Sequence, residues 1–219
     1  CEYQNRTSTR YRKQFRRPLV QRNMKELSES DLVTKHGRME YSVPNCLPVQ
    51  YATRDLPVPP YVLGIWLSSV TPLGRMWLRD KPLNRMRARF RTQGFSIITR
   101  KHKNGLTLFD IRPSIRDSFL FAGHAIPTDL PIIYTDSSIE QRIELLEGFI
   151  DGGAIQRSKE GQTFVMREAN YLYIRKIQGL VESLGIKTIL SEPSQYLYYT
   201  LKFTTNLFFR EEKPKKTRF

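Results

Sequence analysis

Apolar and polar positions divide the chain into segments with different periods. The sharpest is 139–150, IEQRIELLEGFI, where Ile139, Ile143, Leu146 and Ile150 recur at helical spacing and Glu140, Gln141, Arg142 and Glu144 fall opposite. Ser137 or Ser138 can cap this helix. Gln141 stands three residues after Ser138, as in a capping box, and Gly152 and Gly153 mark the stop. A second apolar run, YVLGIWL at 61–67, is too short for periodicity to type as helix or strand. The stretches downstream of the two runs are alike. After the first come the amphipathic stretch PLNRMRARFRTQ (82–93), closed by Gly94, and then FSIITRK and LTLFDIR around Asn104-Gly105, a predicted hairpin. After the second come AIQRS and QTFVMRE across a KEG turn, the helix NYLYIRKIQGLVESLG, and IKTILSE with YLYYTLKF across PSQ.

The chain therefore contains a repeat, with Gly64 and Gly148 at corresponding points of the two apolar runs. Two similar halves around a pseudo-twofold axis are expected, which makes the monomer self-sufficient. On the strands 162–168 and 196–203, alternation puts Phe164, Met166, Leu197, Tyr199, Leu201 and Phe203 on a core face. Thr163, Arg167, Tyr198, Thr200 and Lys202 take the opposite face. Upstream, a short helix is expected within 24–35, capped by Asn23 or Ser28, and the proline-rich 41–60 reads as an extended connector.

Charge narrows the partner. Thirty-six Lys and Arg against 21 Asp and Glu give +15, an excess that points to a polyanion, nucleic acid before an anionic membrane surface. No apolar run is long enough to span a bilayer. The cysteines (Cys1, Cys46) exclude a disulfide framework, and His36, His102 and His124 lie too far apart for zinc-ligand spacing. The first 22 residues are arginine-rich, with no secretory signal. They read as a nucleic-acid-binding arm or as the stub of an organellar, for example mitochondrial, presequence. The start at Cys1 is expected to reflect trimming rather than a splicing junction, because EYQNRTSTRYRK is unlike a splicing block and the chain ends in TRF.

SSIEQRIELLEGFIDGGA resembles the second motif of the LAGLIDADG (dodecapeptide, intein-type) homing endonucleases. LPVPPYVLGIWLSSV resembles the linker and first motif of that family, HAIPTDL the segment before motif two, and SLGIKTIL its post-helix strand. The resemblance spans roughly residues 20–210. It implies an α+β fold of two pseudo-symmetric αββαββα halves, with motif helices meeting at Gly64 and Gly148 and concave sheets lying on DNA. It also implies the division 1–60 (basic arm and connector), 61–136 (first half), 137–209 (second half) and 210–219 (charged tail). From Ser69 to Pro82 there is too little chain for a full hairpin, so the first half is expected to be shortened.

In that family an acid at the end of each motif helix holds a divalent cation, because phosphodiester cleavage needs metal to activate water and offset charge on the leaving oxygen. Here those positions carry Ser69 and Gly153. Asp151 lies two places earlier, and a shifted site using Asp151 and Asp80 is the remaining route to Mg2+. The expectation is a catalytically inactive nucleic-acid-binding protein without cofactor or metal, domesticated in a ribonucleoprotein such as an organellar ribosome, with RNA or DNA and other proteins as partners. The alternative is an active or relic intein-derived DNA endonuclease. Expected phosphate contacts are Arg10, Arg12, Lys13, Arg16 and Arg17 in the arm, Arg100, Lys101, Lys103, Arg157 and Lys159 near turns, and Arg167 and Lys202 on the sheet.

Overall fold

The computed structural model describes residues 23–31, 33, 36, 46–69, 76–78, 83–101, 107–127, 129–158, 162–193 and 197–205. The chain falls into two compact units, Cys1–Pro44 and Asn45–Phe219. In the first, helix α1 spans Met24–Ser28, and the Asn23 side chain accepts the Glu26 N–H at 2.8 Å. It is shorter than the expected 24–35. Ser28 lies inside it, and the Ser28 and Ser30 hydroxyls donate to the Lys25 and Leu27 carbonyls, closing the chain into a turn.

The second unit is organised by two helices, α2 (Pro60–Ser69) and α6 (Ile139–Gly152). Pro60 opens α2 with its φ already helical. Every residue from Pro60 to Trp66 is buried, which is why no amphipathic period betrays this helix in the sequence. Ser138 and Gln141 form the capping box of α6, and Gly153 closes it with φ +90°. The two helices touch backbone to backbone. A Cβ on Gly64 would stand 2.9 Å from the Gly148 Cα and nearer still to the Leu145 carbonyl. One on Gly148 would meet the Gly64 Cα at 2.9 Å and press on the Tyr61 carbonyl. One turn further along, Gly152 packs on Ser68.

Each helix leads into a sheet. In the first half, β1 (Met76–Leu78), α3 (Leu83–Thr92), β2 (Ser96–Lys101) and β3 (Thr107–Arg112) form an antiparallel sheet of order β1-β3-β2, and α4 (Ile115–Phe121) and α5 (Ile132–Thr135) lead to the second motif. In the second half, β4 (Ile155–Arg157), β5 (Thr163–Glu168), α7 (Tyr171–Ser183), β6 (Thr188–Ser191) and β7 (Tyr199–Thr204) give the order β4-β5-β7-β6. The order β5-β7-β6 with α7 repeats β1-β3-β2 with α3, and among the described residues only the second half has a further strand, β4. This is the expected α+β architecture of two related halves; most of the stretch from Ser69 to Pro82, where a shortened first half was expected, lies outside the described residues.

Met86 and Phe90 of α3, Ile174, Ile177 and Val181 of α7, and the stacked rings of Phe164 and Phe203 (5.3 Å) fill one core around the helix pair. Two positions depart from the alternation expected of the sequence. Leu197 was expected in the core, but the strand begins only at Tyr199. Leu197 lies before it with φ 59° and 79% of its surface exposed. Arg142, expected on the polar face of α6, is fully buried. Its guanidinium donates to the carbonyls of Ser137 (2.9 Å), Ser183 (2.9 Å) and Val49 and to the Ser183 hydroxyl, so carbonyl oxygens rather than a carboxylate surround the charge. Burial lowers its pKa from the usual arginine value.

The connector 46–59 is tied along its length to α5, α6 and α7. The Val49 N–H donates to the Ser183 carbonyl at 2.8 Å, and the Arg54 backbone exchanges two hydrogen bonds with the Gln141 side chain. The Tyr134 hydroxyl donates to the Val58 carbonyl (2.7 Å) and accepts the Val58 N–H (3.1 Å).

Candidate nucleic-acid interface

The ends of α2 and α6 lie side by side, and in chain order each helix is followed by the strands of its sheet. Ser69 is the last residue of α2, and Gly153, without a side chain, takes the left-handed conformation that stops α6. Asp151 is in the last turn of α6, where its Oδ2 accepts the Tyr61 hydroxyl at 2.7 Å. Burial, followed by the Asp151 charge, raises the Tyr61 phenol well above its usual pKa, so it stays a donor. The Arg89 guanidinium lies 3.7 Å from the centre of the Tyr61 ring and pairs with Glu147. Asp151, Tyr61, Arg89 and Glu147 thus lock α2, α3 and α6 together.

A cleft of about 290 Å3 opens beside the helix ends, lined by Ser68, Gly153, Gln156, Arg167, Glu168 and Tyr173 among others. Its carboxylate, Glu168, accepts the Asn170 N–H at 3.0 Å. Burial raises the Tyr173 phenol above its ordinary pKa, and the charges of Asp129 and Glu168 add to the shift. Among the described residues no three His, Cys, Asp or Glu side chains gather as a metal site. Asp80 lies outside the described residues.

Strand register defines the outer face of the second sheet, because residues directly opposite one another share a face. One row runs Gln156, Val165, Lys202, Ile189; the next runs Arg167, Thr200, Ser191. Two residues on from the first row, Thr163 pairs with Thr204, and Lys187 extends the Ile189 column. Gln156, Arg167, Lys187 and Lys202 are exposed, and Ile189 is 61% exposed. No acid occurs among these residues. Arg157 is exposed but pairs with Phe164, which puts it on the other face of the sheet, at its edge.

Arg167 and Lys202 are thus brought together with Gln156, Lys187 and Ile189, which the sequence reading did not single out. In the first sheet, Arg100 and Lys101 lie in β2, opposite Leu108 and Thr107 of β3. Arg10, Arg12, Lys13, Arg16, Arg17, Lys103 and Lys159 lie outside the described residues. Alternation found Lys202 and Arg167. It missed Ile189 because an isoleucine in TILS reads as core, and Lys187 because it precedes the strand. Among the described residues no helix is long and apolar enough to cross a membrane.

No family model matches the chain, and no curated protein matches it. Among solved structures, it is similar to I-DmoI in complex with DNA and Mn, at 12% identity over 68% of this chain and 89% of that one, with a TM-score of 0.46. It is also similar to mesophilic variants of the homing endonuclease I-DmoI, at 12% identity over 68% and 88% with a TM-score of 0.46. A further I-DmoI structure with its target DNA matches at 11% identity over 68% and 87%, with a TM-score of 0.47.

Proposed function

We propose that this protein binds nucleic acid through its sheet surface without cutting it, as a structural or RNA-binding component of a ribonucleoprotein such as an organellar ribosome. The observation that carries the binding is the outer face of the second sheet, where Arg167, Lys187 and Lys202 stand among hydroxyl and amide groups without an acid, in a chain of +15. Cations so placed neutralise phosphates and release condensed counterions. The absence of cleavage is supported by the helix ends. Residue 153 is a glycine with no side chain to ligate a metal, and the corresponding position at the end of α2 is a serine, so neither brings a carboxylate. Hard cations such as magnesium are held by oxygen ligands, carboxylates foremost.

The test pairs binding with cleavage. Affinity for structured RNA and for duplex DNA is measured at two salt concentrations, and the protein is incubated with a randomised duplex library and magnesium. The expected result is binding that falls by about 0.7–0.9 log units per phosphate contact for each log unit of salt, and an intact library. Salt-independent binding, or none at low salt, refutes the binding reading. A discrete magnesium-dependent cut refutes the inactive one and favours a surviving endonuclease.

A further inference from the structure

The second sheet carries exposed apolar and aromatic surface beside the cations of its outer face. Along β7 the outward positions are Thr200, Lys202 and Thr204, and Tyr198, 49% exposed, immediately precedes the strand, two positions before Thr200. Arg167 is the register partner of Thr200. Starting from Tyr198, a cation therefore stands after about 7 Å (Arg167, beside Thr200) and another after about 13 Å (Lys202), at the rise of an extended strand. Beyond Lys202 the line ends in a cavity of about 580 Å3. Its lining includes Ile186, Ile189 and Phe203 as apolar surface, with Lys187, Lys202 and Thr204 as polar groups.

This cavity is within the size range of small-molecule sites, mostly apolar, and flanked by two ammonium groups. That chemistry suits a flat base joined to a phosphate. In a duplex, bases are stacked and paired and reach neither a tyrosine ring nor such a cavity. In an unpaired strand they reach both, and aromatic rings between cations are how single strands are held. Resting on the nucleic-acid reading above, we propose that this face takes an unpaired strand running along β7, with one base on the Tyr198 ring, the backbone passing Arg167 and Lys202, and a further base in the cavity beside Ile189.

The experiment uses the full chain and fluorescently labelled twelve-nucleotide single strands of RNA and of DNA, each beside the duplex of the same sequence, at one fixed salt concentration. The single strand of at least one chemistry is expected to bind at least tenfold tighter than its duplex. Tyr198→Ala is expected to weaken the single strand by about tenfold, the scale of one lost base–aromatic stack, and to leave the duplex unchanged. Ile189→Asp, which puts a carboxylate at the cavity mouth, is expected to have a similar effect. Both residues are exposed, so the variants should melt as the parent does. Lys202→Ala should weaken every ligand and reduce the salt slope by about one. A duplex bound as tightly as its strand, or a Tyr198→Ala variant with undiminished single-strand affinity, overturns this proposal and leaves nucleic-acid binding standing. Failure of every strand and duplex to bind at low salt overturns both.

Discussion

The two halves share a plan and differ in what they show to solvent. In both, a strand, a helix and a hairpin come after the motif helix, and the three common strands lie in the same order. In the second, the outer face carries Arg167, Lys187 and Lys202 with no acid. In the first, the rows Ser96–Arg112 and Ile98–Asp110 lie opposite the face of Ile97 and Ile111, so a carboxylate stands among the outward residues. The interior is held to symmetry by contact between backbones at Gly64 and Gly148, which leaves no room for change. The faces answer only to a partner, and these two are not equivalent for a polyanion.

The strongest way to break the shared part is at the crossing. Gly148→Ala places a methyl group against the Tyr61 carbonyl and the Gly64 Cα, and both are backbone, which cannot swing aside. Unfolding in denaturant is expected to show a loss of about 3 kcal/mol or more, and Gly64→Ala should match it. Equal losses mark a symmetric interface, and a small loss at one site refutes the reciprocal packing.

The two motif helices are anchored differently, and a milder substitution separates them. Six residues before its crossing glycine, α6 has Arg142 in a cage of carbonyls, whereas the chain leading into α2 has Val58, held by the Tyr134 hydroxyl. Tyr134→Phe removes two hydrogen bonds and leaves the buried Val58 amide and carbonyl without that partner. Stability is expected to fall by about 1–2 kcal/mol in the same assay.

Gly179→Ala sharpens the comparison by its sign. This glycine lies in α7 with nothing within 4 Å of a Cβ, and its counterpart helix α3 has no glycine. The substitution is expected to raise stability by about 0.5–1 kcal/mol, because alanine costs less conformational entropy in a helix. Smaller still is Asp110→Asn. Removing the one carboxylate of the described outward rows of the first sheet should tighten nucleic-acid binding by roughly two- to fivefold, with stability unaltered, if the ligand reaches that half. An unchanged affinity would confine the footprint to the second half.

How much the sequence made legible depends on where each segment lies. Helix α6 declares itself by spacing, capping box and terminal glycines, signals that are local. Helix α2 is buried on every side, so its residues carry no period, and only its correspondence to α6 exposed it. Gly64 and Gly148 were visible because a close approach needs a residue without Cβ. Arg142 and Leu197 were misjudged because their surroundings come from elsewhere. Arg142 is satisfied by residues of the connector and of α7, and Leu197 is taken out of the strand by a left-handed turn. At the candidate interface, alternation exposed Arg167 and Lys202, but the cavity beside Ile189 is a product of packing and leaves no trace in the order of residues.

The tied connector has a consequence for how the chain is made. Its hydrogen bonds join residues at least 76 positions apart: Val58 waits for Tyr134, and Val49 for Arg142 and Ser183. As the polypeptide leaves the ribosome, the first half emerges before Gln141, Arg142 and Ser183, which hold the start of its leading segment, exist. A chain cut after the first half would keep its strands, α3 and Tyr134 but lose the whole of α6 and the partners of Val49. The halves look like independent copies, yet neither closes alone. Such long-range closure raises contact order and slows folding, and it makes the finished second half the event that commits the first.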